Sequence, residues 1–112
     1  MNKISFEGIG EVVATFGAKT GLKDEEPVKV TANGEAGPCA AGDRFCGVAL
    51  AVEKGLAAVQ VGGFVTMVTS GVVGTGWVKL AADGAGGVKV VTSGGGDYLV
   101  VDSGSGLATV LL

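Results

Sequence analysis

Short runs of β-branched and small apolar residues, separated by glycine-rich turns, cover the chain, and no window carries the 3.6-residue apolar period of a helix. Glu11 to Phe16 reads as a first strand, followed by a polar connection from Gly17 to Glu26 with one helical turn expected near Leu22. Val28, Val30 and Ala32 alternate with Lys29 and Thr31, and this strand stops at Asn33-Gly34, the dipeptide best suited to a tight hairpin. From Arg44 to Val52 both faces are apolar. Cys46, Val48, Leu50 and Val52 fall on one side, and Phe45, Gly47, Ala49 and Ala51 fall on the other. The second side is almost flat, so another backbone is expected to approach it closely. Ala57 to Val61 and Phe64 to Thr69 read as a hairpin through Gly62-Gly63. Trp77 to Ala81 is expected to pair with Gly87 to Thr92 through Asp83-Gly84, before strands at Asp97 to Asp102 and Leu107 to Leu112.

The pattern predicts an all-β domain, a small glycine-rich barrel or sandwich of about nine short strands. It occupies residues 11–112 as a single domain, and residues 1–10, in which Ile4 and Phe6 alternate with polar neighbours before Gly8-Ile9-Gly10, read as an extended N-terminal arm.

Composition sharpens this picture. Glycine supplies 22 of the 112 residues, against only two prolines and no collagen period. Because a glycine inside a strand costs about 0.5–1 kcal/mol relative to alanine, the fold is expected to gain from docking on partner subunits or a larger surface. The stretch from Gly55 to Val78 has no charged residue, yet it holds six glycines and breaks where turns belong, so it reads as two or three strands and no membrane span is expected. The formal net charge is −3, and the basic residues are scattered singly, so no nucleic-acid partner is expected. Cys39 and Cys46 sit among small apolar residues and read as free, core thiols, with a disulfide between neighbouring strands as the alternative.

Candidate chemistry is sparse. The chain contains no histidine, so Ser-His-Asp and Cys-His arrangements cannot form within it, and two cysteines do not complete a zinc site. No Gly-Lys of a phosphate-binding loop and no G-x-S-x-G elbow occurs. Asp83, Asp97 and Asp102 are the candidate carboxylates for glycoside hydrolysis or calcium, but their neighbouring glycines and turns assign them backbone duties. No enzymatic activity, metal or cofactor is expected. Of the aromatics, Trp77 and Tyr98 are open between an exposed platform and core packing, with core packing the simpler reading.

The segment Ala41-Gly42-Asp43-Arg44-Phe45-Cys46-Gly47-Val48-Ala49-Leu50, followed by Gly55-Leu56-Ala57-Ala58-Val59-Gln60-Val61-Gly62-Gly63-Phe64-Val65-Thr66, resembles the capsid cement, or head decoration, proteins of tailed phages and prophages. Pro27-Val28-Lys29-Val30 with Asn33-Gly34 also fits, while Trp77 to Val91 and Tyr98 to Asp102 fit loosely. The resemblance implies a small β-barrel-like domain, often trimeric, on the outer surface of the virion capsid, made in the host cytoplasm and bound to the major capsid protein. It carries over no catalytic residue. On this reading Ile4, Phe6 and Ile9 form a capsid-binding arm that adds a strand to a capsid sheet edge, a frayed terminus or an ordinary first strand being the alternatives, and Phe45, Trp77 and Tyr98 are candidate subunit or capsid contacts. A surface module binding carbohydrate or peptide, and a self-assembling fibre component, are the alternatives.

Overall fold

The computed structural model describes residues 10–112, so Ile4, Phe6 and Ile9 of the expected arm lie outside the described residues. The described chain is all-β, with ten strands: β1 (Val12–Ala18), β2 (Pro27–Ala32), β3 (Glu35–Pro38), β4 (Gly47–Glu53), β5 (Leu56–Gly62), β6 (Phe64–Val68), β7 (Gly76–Ala82), β8 (Val88–Val90), β9 (Gly96–Gly104) and β10 (Leu107–Leu111). The first five close into a barrel in the order β1-β3-β2-β4-β5. The last five form a sheet in the order β6-β10-β9-β7-β8. An isolated parallel bridge between Thr69 and Val88 draws the two edge strands of that sheet together at one end.

The expected hairpins at Asn33-Gly34 and Asp83-Gly84 form, joining β2 to β3 and β7 to β8 in antiparallel pairs. The tenth strand, β3, is the return strand of the Asn33-Gly34 hairpin, to which the sequence pattern assigns no residues. Its sequence, Glu-Ala-Gly-Pro, has no β-branched residue, and pairing on both sides imposes the extended backbone. No helical turn forms near Leu22. The chain makes a bend closed by the Leu22 N–H to the Lys19 carbonyl (3.1 Å), and the Leu22 side chain enters the barrel core.

The expected hairpin from β5 to β6 does not form: β5 pairs with β1 and β4, whereas β6 pairs with β10. Gly63 alone separates them and turns the chain from the barrel into the second sheet with φ +82°. A side chain at Gly63 would run into the Gly10 carbonyl group and the Glu11 amide. The corner's carbonyls are satisfied by specific donors. The carboxamide of Gln60, which is buried, donates to the carbonyls of Gly62 (3.0 Å) and Phe64 (2.9 Å), and the Leu112 N–H donates to the Gly63 carbonyl (2.9 Å). A buried amide with both hydrogens engaged satisfies backbone groups that would otherwise carry a desolvation cost.

The two sheets have different cores. The barrel interior is filled by Leu22, Val28, Ala36, Ala49, Ala57 and Val59, and the small side chains match the narrow bore of five strands. The second core gathers Val65, Met67, Leu80, Val88, Val100 and Val110 from its own strands, together with Phe45 and Val48 from the barrel half. Phe45 stacks on Tyr98, with ring centroids 4.4 Å apart and an interplanar angle of 6°. Complete burial of such a ring stabilises by about 1.5–3 kcal/mol.

The stretch from Arg44 to Val52 departs from its simple alternation. The strand starts only at Gly47, and a register shift between Ala49 and Ala51 turns Leu50 outward. Its flat side does receive another backbone, since a side chain at Gly47 would collide with the Gln60 carbonyl and with Val59. Gly47→Ala is therefore expected to destabilise by about 1–3 kcal/mol through overpacking, read by denaturant unfolding. Gly17→Ala meets only an ordinary contact with the Gly34 carbonyl and is the matched control.

Candidate docking surfaces

Opposite residues of an antiparallel pair put their side chains on the same face. Trp77 of β7 lies opposite Leu99 of β9, Leu99 opposite Leu111 of β10, and Leu111 opposite Phe64 of β6. These four residues form an apolar row across the outer face of the second sheet, and Trp77 is 74% exposed within it. Polar pairs flank the row. Lys79 reaches Asp97 at 3.4 Å on one side, and the hydroxyls of Thr66 and Thr109 are 2.9 Å apart on the other.

Tyr98 is adjacent to Leu99 and so faces the opposite way, into the core. Of the aromatics open between platform and core, Trp77 is on the surface and Tyr98 is buried, as is Phe45. The tyrosine hydroxyl donates to the Phe45 carbonyl at 2.5 Å, which anchors the segment before β4 onto the second sheet. Burial pushes the phenol above its usual range.

The outer rims of Phe45 and Tyr98 line a groove of about 460 Å³ together with Lys29, Val30, Arg44, Cys46 and Leu112. A second groove of about 660 Å³ adjoins it, shares Lys29 and Val30, and carries Lys19. Lys29 pairs with Asp43 at 2.5 Å. The hydrogen bond to Asp43 holds the ammonium above its usual range, and the same bond, with the Ala40 amide, holds the Asp43 carboxyl below its own. Arg44 is exposed and has no carboxylate partner among the described residues.

Both cysteines are free, and neither is fully buried: Cys39 is half-buried and Cys46 exposed. Cys39 packs against the second core, whereas the expected core placement fails for Cys46, which precedes β4 and faces the groove. Desolvation, reinforced by Asp43, raises the Cys39 thiol to about 11, and burial raises Cys46 as well.

The three candidate carboxylates are separate. Asp83 accepts the Ser70 hydroxyl (2.6 Å) and the amides of Ala85 (2.7 Å) and Gly87 (3.0 Å), Asp97 pairs with Lys79, and Asp102 is exposed on β9 opposite Thr109. Partial burial works to raise the Asp83 carboxyl, but the Ser70 hydroxyl and the amides outweigh it and hold it below the usual range. Among the described residues no three metal-ligating side chains come together.

Sequence reasoning missed the Trp77–Leu99–Leu111–Phe64 row and the Gln60 clip. The row depends on strand order and register, for which the chain carries no local signal. The isolated polar Gln60 inside an apolar run was the available cue for the clip. Comparison with protein-family models and with curated proteins finds no match.

The lowered Asp83 carboxyl makes stability pH-dependent. Its contribution is complete above the unfolded value of about 3.9 and is lost as pH falls through the lower folded value. Asp83→Asn is expected to cost about 1–2 kcal/mol at pH 7. Thermal melts should show the gap between the two proteins closing on acidification; a gap constant from pH 7 to strong acid would refute the assignment.

Proposed function

We propose that the chain is a structural capsid decoration protein, which binds the outer surface of a phage head through the major capsid protein and stabilises the shell. The resemblance around Gly42 to Leu50 and Val59 to Gly63 supports this reading. The observation that carries it is the exposed row led by Trp77 on a sheet flanked by polar pairs. A large indole fixed on a rigid β surface offers apolar area with little rotamer entropy to lose, the property of residues that dominate interfaces.

On this reading the protein acts by contact. Its second sheet lays the apolar row on the shell, while Ile4, Phe6 and Ile9 of the arm add a strand to a capsid sheet edge. Homotrimeric association would multiply weak single contacts into stable occupancy. The virion surface is the proposed location, with the host cytoplasm before assembly.

The test mixes purified protein with empty expanded heads and measures bound copy number by sedimentation. Trp77→Ala is expected to weaken head binding at least tenfold, about 1.4 kcal/mol, while its Tm stays near that of the wild type because the ring is exposed. Deleting residues 2–9 should abolish binding and leave the domain folded. Heads that bind Trp77→Ala as tightly as wild type would refute the role of the row, and heads that ignore the wild-type protein would refute decoration.

The exposure of Trp77 also suits a second reading, a carbohydrate-binding module with the indole as stacking platform. Saturable quenching or shift of Trp77 fluorescence by glycans, with no head binding, would favour it.

A further inference from the structure

The barrel is closed, but its β2–β4 seam opens at one end. The ladder between β2 and β4 includes Pro27 opposite Val48 and Val28 opposite Gly47, and it ends there. The Cys46 N–H donates to the Val28 carbonyl at 2.9 Å, so the backbone of Val28 faces β4. Polar backbone groups alternate sides along a strand. Lys29 therefore faces β3, and Val30 faces the β4 side again.

An independent bond agrees with this direction. Ala36, the β3 residue opposite Val30, offers its carbonyl to the Lys19 N–H (2.9 Å), away from β2. A continued ladder would bring Phe45 opposite Val30, but the Phe45 carbonyl is held by the Tyr98 hydroxyl. The two chain segments therefore part at this point. The groove lies in the opening, with the N–H and C=O of Val30 turned into it and the Val30 side chain 59% exposed.

We propose that this edge of β2 receives an extended segment of the shell subunit, in which apolar residues alternate with carboxylates. The proposal rests on the decoration reading and names the partner's chemistry. Strand addition supplies the backbone pairing, through the N–H and C=O of Val30. Val30 and Leu112, beside the buried Phe45–Tyr98 pair, offer apolar contact for one side chain. Arg44, with no carboxylate partner among the described residues, supplies the charge, and Lys19 extends the cationic rim on a chain of net charge −3. Asp43, the carboxylate beside the groove, is already held by Lys29. A carboxylate entering beside Arg44 thus meets a guanidinium that is hydrogen-bonded to the neutral Tyr98 hydroxyl and has no carboxylate partner among the described residues, which suits bidentate pairing.

The test titrates the full-length protein with a blocked hexapeptide alternating Val and Glu, followed by amide NMR shifts. Saturable shifts are expected at the Val30 amide and the Arg44 side chain. They should vanish when alternate peptide amides are N-methylated, and Arg44→Glu should weaken binding at least tenfold. Arg44→Gln, which keeps a hydrogen-bond donor without the charge, should fall between the two, and both variants should melt near the wild type. No saturable shift up to about 5 mM peptide, or equal binding of an alternating Val/Lys peptide, overturns the proposal.

Expanded heads separate it from the decoration reading. Heads that capture wild type and Arg44→Glu equally would overturn the edge as the docking site and leave decoration standing. Peptide binding as described, with heads that ignore the wild type, would support the edge as an acidic-strand site and refute decoration. Concentration-dependent self-association lost in Arg44→Glu would assign the edge to a second copy and overturn the shell as its occupant.

Discussion

The contact between Phe45 and Tyr98 joins the two halves of the molecule side chain to side chain, beside the backbone bonds that Ala82 makes with Gly42 and Asp43. Phe45 belongs to the half of the chain that builds the barrel, yet its ring is buried in the core of the other sheet, stacked on Tyr98. The tyrosine hydroxyl then takes the Phe45 carbonyl. An aromatic stack and a buried hydrogen bond act on the same two residues, so neither can relax without loosening the other. The same contact pulls the segment before β4 away from β2. The groove and the open end of the seam beside it are consequences of how the two sheets are joined.

The fold class and most strands were legible because their signals are local. Asn33-Gly34 supplies a tight turn and Asp83-Gly84 opens the five-residue loop from β7 to β8, and the β-branched runs beside them form strands. Partner choice is not local. Gly62-Gly63 looks like a hairpin turn in sequence, but the chain changes sheets there, because Gln60 clips the corner and Gly10 fills the space a side chain would need. The strand β3 was illegible for the opposite reason: neighbours on both sides hold extended a sequence with little preference for it.

The candidate contacts show the same division. Trp77 and Tyr98 are comparable aromatic residues in adjacent paired strands, and one-residue parity sends them to opposite faces, one to solvent and one to the core. Composition could nominate both and could not choose between them. Register decides, and it also lines up Leu99, Leu111 and Phe64 behind the indole.

The single crossing at Gly63 has a kinetic consequence. Every ladder of the barrel lies within residues 12–62, and every ladder of the second sheet lies within residues 64–111. No strand must find a partner across the midpoint of the chain, which shortens the loops to be closed before pairing stabilises them. Each half can nucleate its own sheet, leaving a final docking in which Phe45 and Val48 enter the neighbouring core and Ala82 bonds the backbone of Gly42 and Asp43. Pulsed hydrogen exchange would reveal this order as amide protection in both sheets ahead of native aromatic packing. Protection arising in a single step with that packing would instead mark one cooperative nucleus spanning both halves.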